Sequence, residues 1–296
     1  MTLSLPSHPS SRTKTLAIIG DPIEQSLSPR IQNAAWQALR ESGADADFVL
    51  VAFRVSPENL QSAVLGARDL GVIGMMVTLP HKEQVLPLCD ELHESARVMG
   101  AANLLHFRED GKIIGHSSDG WGATQSLAAK GVLVGQKSVC ILGGGGAARS
   151  LAVTFAREGA REIVILNRTT ERAARIAGEL SEFGIAARAG ALDENTAREI
   201  LPHCDLLVNA TSVGMRPRED ASPLPEGVLP LQHLAAYDIV YNPLETRLLR
   251  DAKAEGARVI DGLGMLIYTN VYAAQVCAGH ELSAQVMREE ALRALA

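Results

Sequence analysis

Short apolar runs ending in glycine or polar residues alternate with amphipathic stretches from residue 15 to residue 262, and this alternation narrows the fold most. Strand-helix alternation predicts parallel α/β layers, because parallel strands need a crossover and the crossover is usually a helix. TLAIIG (15–20) reads as a buried strand ending in Gly20. Ser28 and Pro29 then offer an N-cap followed by proline at the first helical position. Ile31, Ala34, Ala35, Ala38 and Leu39 fall at i, i+3, i+4, i+7 and i+8, one apolar helix face closed by Gly43. DFVLVAFRV (47–55) and GVIGMMVTL (71–79) read as the next strands, with Ser56-Pro57 repeating the helix-start signal between them. NLLHF and KIIGH flank Glu109-Asp110-Gly111, a hairpin signal.

A second series begins near Asp119. SVCILGGGGAARS (138–150) is a strand that breaks into four glycines and then a helix. EIVILNR (162–168), DLLVNAT (205–211), AYDIVYNP (236–243) and ARVIDG (257–262) continue the pattern. Two further helices, about 264–279 and 282–294, have no strand after them and are expected to pack back on the first series. At 296 residues, the expectation is two open parallel-sheet domains, 1–119 completed by 264–296, and 120–263.

Apolar residues make up 47% of the chain, enough for two cores. A net charge of −6 argues against a nucleic-acid partner, which needs a basic face. No run of about 18 apolar residues predicts a membrane span. MTLSLPSHPSSRTK lacks the apolar segment of a signal peptide and reads as a short disordered tail. Cys89, Cys140, Cys204 and Cys277 are scattered without a CxxC pair and read as buried thiols in a reducing cytoplasm. The histidines, His81 included, show no metal-ligand spacing, so no metal is assigned; Trp36 and Trp121 read as packing residues.

Gly143, Gly145 and Ala148 match G-x-G-x-x-[GA] between a strand and a helix. In that context glycine lets the backbone approach a pyrophosphate at the helix N-terminus, which makes the second domain Rossmann-type. Gly146 and Ala147 lie inside the same turn. The next strand ends in Asn167-Arg168-Thr169, where an NAD site would normally carry an acidic residue. An amide, a guanidinium and a hydroxyl instead suit a 2′-phosphate, with Arg149 as a second positive charge. The alternative is two ordinary surface arginines. The cofactor is read as NADP.

VTLPHK carries a strand straight to Lys82. Hydride transfer to or from a secondary alcohol moves a proton as well, which a held lysine can supply or accept. Desolvation lowers a lysine's pKa and a nearby carboxylate raises it, and the sequence leaves that balance open. Asp119, in HSSDGWG, is the expected partner. Taken alone, Lys82 reads first as an ordinary solvated lysine.

GDPIEQSLSP, VTLPHKE, AANLL, SSDGWG, GGGGAAR, NRT, NATSVGM, YNPLETRLL and DGLGML stand in the order and spacing of shikimate dehydrogenases, which the chain resembles from about residue 16 to 279. The resemblance implies NADP-linked interconversion of 3-dehydroshikimate and shikimate, hence aromatic amino acid and chorismate biosynthesis through the shikimate pathway. It makes the first domain the substrate-binding one. Ser26 and Ser28 would hold the substrate carboxylate; Thr78, Asn103 and Asp119 would hydrogen-bond ring hydroxyls; Lys82 and Asp119 would be the acid/base pair. Asn209 to Met215 (among them Ala210, Thr211 and Ser212), with Val240 and Tyr241, would line the nicotinamide end, together with Gly262 and Met265. The expected partner is a small cyclic hydroxy acid, and the protein a cytoplasmic monomer or homodimer.

Two positions depart from the family. Met76 stands where asparagine is usual, and Thr269 where glutamine is usual; both amides would touch substrate hydroxyls. Either the enzyme turns over shikimate with reduced efficiency, or its substrate is a related acid such as quinate or aminoshikimate. A non-catalytic NADP-binding sensor is the alternative from another class, and retention of Lys82 and Asp119 counts against it.

Overall fold

The computed structural model describes residues 9–181, 183–228 and 231–296. The chain divides into two compact units, residues 1–118 with 266–296, and residues 119–265. In the first unit β1 (Lys14–Gly20), α1 (Ser28–Glu41), β2 (Phe48–Arg54), α2 (Leu60–Asp69), β3 (Gly74–Val77), β4 (Glu91–Leu92), α3 (Glu94–Met99), β5 (Leu104–Phe107) and β6 (Ile113–His116) follow in order. The strands form one sheet in the order β2-β1-β3-β5-β6-β4. β1 pairs in parallel with β2 and β3, whereas β5 runs antiparallel to β3 and β6. β5 and β6 are the expected hairpin, and a tight hairpin must return antiparallel, so this open sheet is mixed.

Residues 1–8 of the expected tail lie outside the described residues. Nearer the strand, the Thr13 hydroxyl donates to Asp47 at 2.9 Å, and β1 starts at Lys14, so regular structure begins before residue 15. β3 covers 74–77 rather than 71–79: Val72 N–H donates back to the Ala67 carbonyl, and Leu79 and Pro80 already lie in a turn. In α1 the buried residues are Ser28, Ile31, Gln32, Ala35 and Trp36, while Ala34, Ala38 and Leu39 are half-buried. The stripe is rotated from the expected one toward the Trp36 ring, which is fully buried and stacked on Phe48 at 4.6 Å.

The second unit contains α4 (Asp119–Ala128), β7 (Ser138–Leu142), α5 (Gly146–Arg157), β8 (Glu162–Asn167), α6 (Thr170–Ser181), β9 (Ala186–Ala191), α7 (Glu194–Ile200), β10 (Leu206–Asn209), β11 (Ala235–Asp238), α8 (Arg247–Ala254) and β12 (Arg258–Ile260). Its sheet is parallel throughout, in the order β12-β11-β10-β7-β8-β9. β7, at its centre, is fully buried, as a strand covered on both faces must be. α9 (Leu263–Ala278) and α10 (Ala284–Leu295) complete the chain, and α10 packs on α1 within the first unit. No helix among the described residues is long and apolar enough to cross a membrane.

Gly262 is needed for space: a Cβ there would lie 2.2 Å from the Ile239 carbonyl oxygen and 2.3 Å from its carbon. Backbone cannot give way as a flexible side chain can. Gly262→Ala is therefore expected to cost about 1–3 kcal/mol by overpacking. A thermal melt superimposable on the parent's would show that the contact is looser than this.

Candidate active site

In the first unit Ser26, Thr78, Lys82 and Asn103 sit on loops at strand ends, whereas Ser28 opens α1, Met76 lies in β3 and Thr269 in α9. The β1 and β3 exits lie side by side: Thr78 N–H donates to the Ile19 carbonyl at 2.9 Å and Asp21 N–H to the Leu79 carbonyl at 3.0 Å. This brings the Ser26–Ser28 loop and the Thr78–Lys82 turn to one end of the sheet. Asn103 closes the group from the start of β5, its carbonyl accepting from Val77 N–H at 2.8 Å. Its side-chain oxygen accepts from Ser118 N–H at 2.8 Å and Ser118 Oγ at 3.1 Å, which fixes the amide.

The turn carrying Lys82 is held by its neighbours. His81 is fully buried, and its Nε2 lies 2.7 Å from the Val55 carbonyl oxygen. A carbonyl only accepts, so Nε2 carries the proton; the buried Nδ1 has no protein partner. The Lys82 carbonyl accepts from Ala102 N–H at 2.8 Å. The lysine backbone is thus fixed on both sides, and its side chain is half-buried. Asp119 opens α4 and belongs to the other unit.

One expectation is corrected and two further positions are located. Ser28 is not a side-chain cap: α1 starts without a capping side-chain bond, and Ser28 is its first helical residue. Its N–H donates to Ser26 Oγ at 3.4 Å, so Ser26 makes the local turn contact, while the 1%-exposed Ser28 hydroxyl accepts from Asn270 Nδ2 at 3.1 Å. Thr269 donates its hydroxyl proton to the Leu266 carbonyl at 2.8 Å, which leaves only acceptor capacity toward a ligand or bridging water. Met76 is 7% exposed between Ile18 and Leu104, on the opposite face from Met75 and Val77, which belong to the α2-side core.

In the second unit the glycine turn is shaped by close approaches. Gly143 has φ +125, and a Cβ there would press on the Ala210 carbonyl at 3.1 Å. Gly145 and Gly146 face open space where α5 begins, and Ala148 is fully buried against the fold. A bare backbone at the N-terminus of a 12-residue helix suits a pyrophosphate. Arg168 and Thr169 are exposed at the end of β8, and Asn167 Nδ2 donates to the Thr169 carbonyl at 2.9 Å. These residues fit a dinucleotide bearing a 2′-phosphate. Arg149, expected as a second positive charge, pairs with Glu179 at 2.6 Å. Arg172, which the sequence reading passed over, has its Cβ 2.9 Å from where a Gly144 Cβ would lie. Its i+4 spacing from Arg168 was the available signal.

Asn209 does not line the site as expected; it is fully buried and braces the loop behind it. Its oxygen accepts from Thr211 N–H and Oγ1 at 3.0 and 2.7 Å, and its Nδ2 donates to Asp238 at 2.9 Å. Asp238 also accepts from Val240 N–H at 3.0 Å and Thr246 Oγ1 at 2.7 Å. Burial pushes its carboxyl up to about 6 against the downward pull of these three donors. Ala210 through Ser212 and Val240 are thereby fixed relative to one another. Tyr241 and Met265 are half-buried and Met215 is exposed; burial raises the Tyr241 phenol. No group of three or more His, Cys, Asp or Glu able to hold a metal occurs among the described residues.

Residues 18–105 match the family model described as "Shikimate dehydrogenase substrate binding domain", and residues 126–216 the one described as "Shikimate / quinate 5-dehydrogenase". A shikimate dehydrogenase (NADP(+)) from Methanopyrus kandleri is 46% identical over 288 residues, covering 96% of this chain and 97% of that protein. A crystal structure of a shikimate dehydrogenase in complex with NADP+ superposes with TM-score 0.87 at 36% identity, covering 99% of each chain. The ligand-free 5-ketofructose reductase of Gluconobacter sp. strain CHM43 superposes with TM-score 0.87 at 33% identity, covering 96% of this chain and all of that one.

Proposed function

The chain belongs to the shikimate dehydrogenase family, and on that premise we propose that it catalyses NADP-dependent interconversion of 3-dehydroshikimate and shikimate. It is an oxidoreductase acting on a secondary alcohol. The observation that carries this reading is the backbone-anchored lysine turn, grouped with Ser28 and Asn103 at one sheet end, in a chain so close to an NADP(+) shikimate dehydrogenase.

Bound NADPH supplies the hydride; the chain's residues do the rest. Ser26 and Ser28 hold the substrate carboxylate, and Thr78 and Asn103 hold ring hydroxyls. As hydride reaches the carbonyl carbon, the Lys82 ammonium gives its proton to the oxygen and is reprotonated from solvent. Asp119, which opens α4, is carried forward from the sequence as the second acid/base residue. Arg168, Arg172 and Thr169 would receive the 2′-phosphate, and the loops braced by Asn209 and Asp238 would flank the nicotinamide. The first unit is the substrate-binding one, completed by the C-terminal helices, and the second binds NADP. We place the protein in the cytoplasm, as four free thiols favour, as a monomer or homodimer working in chorismate biosynthesis.

Met76 presents no hydrogen-bonding group, so a substrate hydroxyl buried against it would lose about 1–3 kcal/mol, roughly 5- to 150-fold in kcat/KM. Met76→Asn is expected to raise kcat/KM for shikimate; no change would make the methionine a packing residue and remove the ground for reduced efficiency. The function itself is tested by absorbance at the nicotinamide band with shikimate, quinate, an aminoshikimate and 5-ketofructose, each with NADP and NAD. Shikimate with NADP is expected to give the highest kcat/KM. A flat trace throughout, with tight NADP binding, would make the protein a sensor.

A further inference from the structure

Beneath the Ser26–Ser28 loop the first unit buries a polar cluster that the reaction does not itself call for. Ser28, Gln32 and Asn270 are each at most 1% exposed. Asn270 Nδ2 lies 2.8 Å from the Leu266 carbonyl and 3.1 Å from Ser28 Oγ. The Leu266 carbonyl can only accept, so the group beside it must be the NH2, and the amide cannot flip. Its second N–H is therefore directed at Ser28 Oγ, which must act as acceptor there. Gln32 Nε2 donates to the Asn270 carbonyl at 3.1 Å and pins the same turn of α9. A hydroxyl that accepts on its inner side keeps its single proton for another direction, and among the described residues no protein acceptor takes it. Gln32 Oε1 and Asn270 Oδ1 remain buried without protein partners.

We infer that Asn270, backed by Gln32, is a positioning residue that fixes the polarity of the Ser28 hydroxyl, so that it is presented as a donor to the substrate carboxylate. The inference rests on the reading of Ser28 as a carboxylate holder. A carboxylate accepts only, so a pre-aimed donor binds it without first reorienting, whereas a hydroxyl left to rotate must be ordered on binding.

The test is a double-mutant cycle with Ser28→Ala and Asn270→Leu, reading KM for shikimate, kcat, and KM for NADP as a check on folding. Ser28→Ala is expected to raise the shikimate KM by about tenfold or more, as loss of a hydrogen bond to a charged group does. Asn270→Leu is expected to raise it about fivefold when Ser28 is intact and less than about twofold in the Ser28→Ala background, with kcat and the NADP KM little changed. Should Asn270→Leu fail to fold, Asn270→Ser carries the same expectation, because one hydroxyl proton cannot serve both Leu266 and Ser28. An unchanged KM in Ser28→Ala would remove Ser28 from carboxylate binding, and the inference with it. A raised KM in Ser28→Ala, with Asn270 variants either silent or equally harmful in both backgrounds, would overturn the inference and leave the reading of Ser28 standing.

Discussion

Replacing Lys82 by alanine lowers kcat for shikimate by about two to four decades, the range a positioned general acid or base contributes, while KM changes far less. The architecture makes this a clean experiment. The turn is fixed by the His81 ring on the Val55 carbonyl and by Ala102 N–H on the Lys82 carbonyl, and neither contact uses the lysine side chain. The alanine variant is therefore expected to keep the turn while losing the proposed proton carrier. Steady-state kinetics with saturating NADP checks this. Turnover within a few-fold of the parent would take the lysine out of the mechanism.

Arg168→Ala raises the KM for NADP by about 10- to 150-fold, the worth of charge-assisted hydrogen bonds to a phosphate, and leaves the KM for NAD within about twofold. Arg168 is exposed at the end of β8, so its removal strands no buried group. Arg172, close to the glycine turn, is expected to share the phosphate, and the double replacement to abolish most of the preference for NADP. Arg149 is engaged by Glu179 and its replacement should matter less. The check is KM for both cofactors with each variant; equal weakening of NADP and NAD would contradict the 2′-phosphate assignment.

Much of the fold was legible in the sequence because apolar runs and capping signals are local. The glycine turn, the hairpin at Glu109–Gly111 and both C-terminal helices appear where patterning placed them, within a residue or two. β9 was missed because AARAGA carries no β-branched or aromatic residue; it is a strand because β8 offers it an edge to pair with. The helix face of α1 was misplaced because spacing counts apolar positions equally, whereas packing favours the side chain with most area to bury. At the site, the motifs named the residues but not what holds them. That Asn209 is a brace, that Arg149 is already paired and that the Ser28 hydroxyl faces Asn270 all depend on contacts between residues 29 to 242 positions apart. No local pattern encodes those contacts.

The most direct test of the account follows the transferred hydrogen. With 3-dehydroshikimate and NADPH carrying deuterium at the transferable position, the account predicts shikimate labelled with one deuterium on the carbon bearing the new hydroxyl. Tight binding of NADPH with no labelled product from 3-dehydroshikimate would contradict it.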